Sequence, residues 1–360
     1  MPNGNDSGSG SSSSSSSAQH HDAPSVGFVP TMGALHAGHL DLVQRSLREN
    51  AYTVISIFVN PAQFAPNEDL ASYPRTLPSD VQALIEAEQA QKGLGEIGAL
   101  FVPNVQEMYP PLPGTSTPFT QNVQQQEGAF VTMHGSLASS LEGASRPAFF
   151  RGVATVVTKL FHAVEPTRVY FGQKDIQQAL ILRGMVSSLL FGAPGKEGFK
   201  VVETRRDQET GLALSSRNAY LSDEARRRWA PLLIRGLEEG RSAFDTAIAA
   251  GESAKEVERK VTSTALGKID SLAKQAEQES GGRVRFEVDY VSLNCRYTLR
   301  PYAEAIAAEG PAAADGAVLS GAVALIEGQG EGKEARRTRL IDNLLLGKAE
   351  EEILGASSER

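Results

Sequence analysis

Cysteine is almost absent from this chain: its 360 residues contain one, Cys295. An intrachain disulfide is therefore impossible, no zinc-ligand spacing exists, and a packed strand thiol in a reducing compartment is the expectation. Neither CxxC nor HExxH occurs, which argues against a protein-held zinc. There is no GxxxxGK[ST] loop, so a bound nucleotide would not be held by a P-loop. Positive charge is also short, with 35 Lys and Arg against 43 Asp and Glu and a net charge of -8. That balance argues against nucleic acid or a membrane surface as partner, although a local basic pocket can still hold phosphates. No apolar run is long enough for a membrane span. The first 24 residues, with an unbroken serine run from Ser11 to Ser17, lack the apolar core of a secretion signal and the arginines of a transit helix. They read as a disordered tail, and a cytoplasmic location is expected.

What remains is long enough for two domains, and 41% of the whole chain is hydrophobic. Between residues 25 and 202, β-rich runs at 25–30, 53–59, 100–102 and 168–171 alternate with helical spacing at 40–49, 79–90, 154–164 and 176–190. Such alternation predicts βαβ units and a parallel sheet. Residues 203–350 change character: helices at 223–237 and 254–276 precede strands at 285–293 and 317–326, which suggests a smaller α+β domain. Residues 351–360 read as a tail. Stretches 92–98 and 110–127 look like insertions, and 303–316 and 328–333 like loops. The spacing Gly93-Leu-Gly-Glu-Ile-Gly98 fits a dinucleotide fingerprint, but it follows a helix and precedes a strand, the reverse of the required order.

Val26-Gly-Phe-Val-Pro-Thr-Met-Gly-Ala-Leu-His-Ala-Gly-His39 carries the strongest signal. A strand-like run ends in a tight turn, for which Gly33 supplies positive φ, and delivers His36 and His39 to one face of a helix start, where unpaired N–H groups attract phosphate. A structural histidine pair is the competing reading. Lys174 and Asp175 follow the strand at 168–171, where a flexible cation suits phosphate, a carboxylate suits ribose hydroxyls, and Gln178 lies one turn further on. Leu214-Ser-Ser-Arg217 sets two hydroxyls beside a cation. Asn60 and Gln63, between Phe58 and Phe64, suit a small hydroxylated acid. Asp80 is a candidate to hold a magnesium-bound water, or simply an acidic residue in a first helical turn.

Together these segments resemble the pantothenate synthetase family, the ATP-dependent pantoate–β-alanine ligases. The resemblance runs from about Val26 to Gly347 through Pro30-Thr-Met-Gly33, His36-Ala-Gly-His39, Ser56-Ile-Phe-Val-Asn-Pro-Ala-Gln-Phe64, Tyr73-Pro-Arg-Thr76 and Leu141-Glu-Gly-Ala-Ser-Arg-Pro147. It continues through Phe150-Arg-Gly152, Phe171-Gly-Gln-Lys-Asp175, Gly211-Leu-Ala-Leu-Ser-Ser-Arg-Asn218 and Thr338-Arg-Leu-Ile-Asp-Asn343. His-x-Gly-His alone marks only a wider nucleotidyltransferase-like superfamily. The resemblance implies a Rossmann-like N-terminal domain, a C-terminal lid, a homodimer, and condensation of pantoate with β-alanine using ATP and Mg2+. It places ATP on Met32, Gly33, His36, His39, Gly172, Lys174, Asp175, Leu214, Ser215, Ser216 and Arg217. Pantoate and β-alanine fall to Gln63, Gln178, Asn60 and Met32, and His39, His36, Lys174 and Arg217 are the catalytic candidates. The chain departs from the family pattern at Ala148 and Phe149, where Gly-His is frequent, and at Gln173, where Glu is. Rival readings are another adenylate-forming enzyme of the superfamily, which would not be expected to carry both Gln63 and Gln178, and a silent relative, which should have lost one of the four catalytic candidates.

Overall fold

The computed structural model describes residues 23–66, 68, 70–114, 119–328 and 335–355. The serine run, the middle of the 110–127 stretch and residues 329–333 lie outside these. Five strands form the first sheet: β1 (Val26–Thr31), β2 (Tyr52–Ile57), β3 (Glu96–Phe101), β4 (Arg168–Gly172) and β5 (Phe199–Val202). All pair in parallel, in the order β3-β2-β1-β4-β5. The chain winds outward from β1 in one direction and from β4 in the other, so the switch between them opens a crevice at the strands' carboxyl ends.

Around the sheet lie α1 (Ala37–Glu49), α2 (Leu77–Ala90), the one-turn helices α3 (Val105–Met108), α4 (Ser136–Ser139) and α5 (Glu142–Ser145), then α6 (Phe149–Val164) and α7 (Ile176–Ser188). On α1, Leu42, Val43, Ser46 and Leu47 bury one stripe against the sheet. The more apolar α6 buries nine side chains or backbone positions. Its Gly152 touches the loop after β2 so closely that a Cβ would stand 2.2 Å from the Ala62 carbonyl oxygen.

The second part holds α8 (Leu232–Ala249), α9 (Ala254–Glu279), β6 (Val284–Cys295), α10 (Tyr302–Glu309), β7 (Gly316–Glu327), β8 (Arg336–Gly347) and α11 (Ala349–Leu354). Its three strands form an antiparallel β6-β7-β8 sheet. One face packs on α8 and α9. The other side is not separate from the first domain: Leu299, Val318, Leu345, Ala349 and Ile353 share a core cluster with Phe171, Leu180, Phe199 and Val201. Among the described residues no helix is long and apolar enough to cross a membrane.

The expected α/β architecture holds, with local corrections. The short β5 escapes notice because Lys200 interrupts an apolar run of only four residues. Strand β8 is masked in sequence by its opening arginines. Residues 303–316 contain α10 rather than only loop, since alanine favours helix however monotonous the composition. The helix expected at 223–237 is a π-helical turn, Ala225–Trp229, followed after Pro231 by α8. The 351–360 tail begins inside α11, whose Ala349 and Ile353 are buried one turn apart. Cys295 is free and buried in β6, as a packed strand thiol should be.

Substituting Gly152→Ala forces a Cβ into a backbone oxygen, so α6 and the loop after β2 must separate. Urea unfolding is expected to show a loss of about 1–3 kcal/mol.

Candidate functional site

Thr31, buried at the end of β1, donates its hydroxyl to the Ser56 carbonyl (2.7 Å) and accepts from the Gly33 N–H (3.2 Å). Gly33 (φ 82°) and Ala34 (φ 50°) then turn the chain through the left-handed region. Asp80 fastens this turn: its carboxylate accepts from the N–H groups of Ala34 (3.1 Å) and Leu35 (2.8 Å), and from the Thr76 hydroxyl at 3.2 Å. Gly33 has no room for a Cβ without approaching that carboxylate to 3.1 Å. The reading of Asp80 as holder of a magnesium-bound water is corrected accordingly. Both oxygens are engaged behind the turn and the residue is 3% exposed, off the cavity that its neighbours line.

His36 caps α1 in extended conformation, and its ring lies 4.0 Å from that of His39, centroid to centroid. The His36 N–H approaches His39 Nδ1 at 3.4 Å, which leaves the proton of a neutral His39 on Nε2. Burial, and then the charge of Lys174, lower His36 from 6.5 to about 4. Burial, and then His36, lower His39 to about 3. Both rings are therefore neutral at physiological pH, donors and acceptors rather than cations. His36 Nδ1 is buried and has no hydrogen-bond partner among the described residues.

Lys174 and Asp175 form an ion pair of 3.2 Å in the turn after β4. Burial opposes ionisation of Asp175, but Lys174 foremost, then Arg217 and His39, outweigh it and hold the carboxyl below its ordinary value. The turn is clamped from β8: the Asn343 amide donates to the Gln173 and Lys174 carbonyls, both at 3.0 Å. Gln173 in turn donates to Asn343 Oδ1 and accepts from the Thr204 N–H, each at 3.2 Å. A glutamate at 173 could only accept, so the amide suits a position that must do both. Opposite, Ser215 caps a short turn by accepting from the Arg217 N–H (3.3 Å), and the Ser216 and Tyr73 hydroxyls meet at 3.1 Å.

Gln63 Nε2 contacts Met32 Sδ at 3.1 Å, and its Oε1 accepts from Asn60 at 3.0 Å. Asn60 itself is 1% exposed and accepts from the Tyr109 hydroxyl (2.7 Å) while donating to the Gly152 carbonyl (3.2 Å). These partners hold its amide beside Gln63, and Asn60 lines the cavity with it. Gln178 lines the same cavity, half-buried.

These groups surround one cavity of about 1210 Å³. It gathers Met32, His36, His39, Gln63, Gly172, Lys174, Asp175, Gln178 and Leu214 to Arg217; Gly33 and Asp80 stand behind it. Sequence reasoning missed Glu68, which holds Arg146 through two 2.7 Å bonds while Arg146 also reaches the Gln63 carbonyl (3.0 Å) and lies over Phe149, 3.9 Å from the ring centre. The ring that replaces a polar group at 149 thus becomes a platform for that guanidinium. It also missed Glu142 and Arg339, paired at 2.6 Å across the cavity wall; neither carries a spacing signal, because 197 residues separate them.

A doubly wound sheet whose first turn offers a histidine pair and a helix start, faced by a lysine and an arginine, defines a nucleotide-handling α/β enzyme. The profile of the pantoate-beta-alanine ligase family matches residues 10–345, and the chain belongs to that family. It is 40% identical over 323 residues to the pantoate-beta-alanine ligase of Saccharomyces cerevisiae, covering 89% of this chain and 92% of that one. The crystal structure of pantothenate synthetase from Thermus thermophilus superposes with a TM-score of 0.63 at 40% identity, covering 89% of this chain and 92% of the other. A pantoate-beta-alanine ligase from Francisella tularensis, complexed with beta-gamma ATP and beta-alanine, matches with a TM-score of 0.55 at 26% identity, over 89% of this chain and 90% of that one.

Both histidines bind protons more weakly folded than unfolded, so their contribution to stability is complete above 6.5 and falls as pH drops through about 4 and 3. NMR titration of the ring C–H signals of His36 and His39 should show no charging between pH 8 and pH 5, with stability declining below about pH 6.5.

Proposed function

We propose that this chain condenses pantoate with β-alanine, using ATP, to give pantothenate, AMP and pyrophosphate through a pantoyl adenylate. The observation that carries the proposal is the meeting, in one cavity, of the His36/His39 pair, Lys174 and Arg217 with the amides of Gln63 and Gln178. Family membership and the ATP- and β-alanine-bound relative support it.

In the first half-reaction a pantoate carboxylate oxygen attacks the α-phosphorus and the bond to the β-phosphate breaks, releasing pyrophosphate. The attack brings an anion towards a polyanion, so the enzyme must supply position and positive potential more than a nucleophile. Lys174 and Arg217 supply the charge. Neutral His36 and His39 supply oriented hydrogen bonds at the start of α1, with His39 donating from Nε2. Gln63 and Gln178 orient pantoate through its hydroxyl and carboxylate, and Met32 packs beside Gln63. Gly172 and Asp175 border the ribose end, and Leu214, Ser215 and Ser216 line the phosphate side.

In the second half-reaction a neutral β-alanine amine attacks the acyl carbonyl, the carbon–oxygen bond to AMP breaks, and the amine loses its proton. Water would attack the same carbonyl, which makes enclosure part of the chemistry. Asp80 does not suit a magnesium ion, and no group of three candidate ligands exists among the described residues. Magnesium belongs in this reading to the nucleotide substrate, and no step is routed through it.

The same proposal carries a division at residues 202 and 203, with 203–350 as a lid, a homodimer, and a cytoplasmic setting. The change from a parallel to an antiparallel sheet supports the division, and the free, buried Cys295 suits the setting.

Pantoate-dependent ATP–pyrophosphate exchange, followed by pantothenate release on adding β-alanine, is the expected assay result; exchange driven by a different acid would displace the proposal. Lys174→Ala should reduce adenylate formation in rapid-quench experiments by roughly 100-fold or more, with nucleotide affinity falling less than about tenfold.

A further inference from the structure

Strand β8 runs along the cavity wall and meets the first domain at two places on one face. Arg339 and Asn343 are four residues apart, about 13 Å at strand rise. The two contacts differ in kind. At Asn343 the contact is dry: Asn343 is 2% exposed and Gln173 5%. Two hydrogen bonds join Asn343 to Gln173 and a third runs from the Asn343 amide to the Lys174 carbonyl, and Leu345, Ala349 and Ile353 continue into the first domain's core. Parting it would strand buried amides and expose apolar surface.

At Arg339 the contact is ionic and stands at the rim. The guanidinium reaches both Glu142 oxygens at 2.6 and 2.7 Å and Asp289 at 2.6 Å. The Tyr290 hydroxyl donates to Glu142 at 3.0 Å, and Ser145 reaches Asp289 at 3.3 Å. The Asp289 side chain is 39% exposed and Arg339 23%, while Glu142 is 10% exposed, so this contact is more open to solvent than the one at Asn343, and opening it returns each charge to water, whose hydration offsets part of the lost pairing. Glu142 is nevertheless held firmly from its own side. It follows Leu141, which takes a left-handed φ of 49°, and its N–H is held by Gln177 at 3.0 Å. Gln177 is fixed in turn by donating to the Leu137 and Ser140 carbonyls, both at 2.8 Å.

We propose that Glu142, Arg339 and Asp289 form a clasp that shuts the β6–β8 sheet over the cavity, with the Asn343–Gln173 contact as its pivot. The clasp opens at the rim to admit substrates and closes to hold the acyl adenylate away from water. Arg339 and Glu142 are on this account positioning residues. The inference rests on the proposed adenylate chemistry and says which end of the sheet moves.

Two measurements decide it. In hydrogen exchange on the full wild-type chain, adding ATP and pantoate is expected to slow the amides of 286–291 and 336–340 at least tenfold, while those of 343–346 are protected with or without them. Equal change at both ends, or none at the rim, overturns the pivot and clasp. In Arg339→Gln, an open rim lets water attack the acyl carbonyl and give pantoate and AMP. The ratio of AMP to pantothenate should therefore rise threefold or more over wild type. A folded variant that is merely slower, with the wild-type ratio, overturns the clasp; should the variant not fold, the exchange pattern of the wild type decides alone. Absence of pantoate-dependent ATP–pyrophosphate exchange in the wild type would instead remove the proposed chemistry, and exchange rates with ATP alone would still test the pivot.

Discussion

One buried carboxylate sets the geometry on which the site depends. Asp80 receives the N–H groups of two successive residues just after the left-handed step at Gly33. A charged acceptor in such a place is worth about 1.5–3 kcal/mol per hydrogen bond, enough to fix the exit angle of the chain from β1. From that angle follow the cap at His36, the packing of His39 against it, and the direction of α1. The residue acts on nucleotide chemistry without touching the nucleotide's cavity.

The electrostatics divide the work unequally. Two aromatic bases packed 4.0 Å apart beside a lysine cannot both hold protons, and burial removes the incentive for either. Positive potential beside the histidines comes from Lys174 and Arg217, two distant chain segments that both act on Asp175. Asp175 pairs with Lys174 at 3.2 Å, and an arriving polyanion competes for the same ammonium. A chain with a net charge of -8 thus presents a small cationic focus without becoming generally adhesive to anions.

Much of this was legible before the fold was known. The parallel sheet follows from alternation of period, and the cavity's histidines, Lys174 and the two glutamines stand at strand ends where such sheets bind ligands. What escaped was long-range or of mixed character. Strand β8 opens with charged residues that pair with β6 and across the cavity wall, Arg337 with Glu287 and Arg339 with Asp289 and Glu142, so its pattern resembles a loop. Polarity at a strand end does not reveal that Tyr109 and Gly152 hold the Asn60 amide. Asp80 reads as a magnesium-water holder or a first-turn charge because its place in the sequence does not reveal the Ala34 and Leu35 N–H groups that it accepts from. Ion pairs between distant segments, such as Glu142 with Arg339, leave no periodic trace.

The seating of β8 and α11 in the first domain's core also bears on how the chain is made. Residues 26–202 leave the ribosome first, yet Val318, Leu345, Ala349 and Ile353, which complete the packing around Phe171 and Phe199, are added much later. The nascent catalytic half therefore waits with an apolar face uncovered, a state that invites aggregation or chaperone capture. Synthesis and maturation are coupled: the nucleotide cavity gains its β8 wall, residues 336–343, only after translation has passed them, so a nascent chain stalled earlier would expose the sheet without offering a finished site.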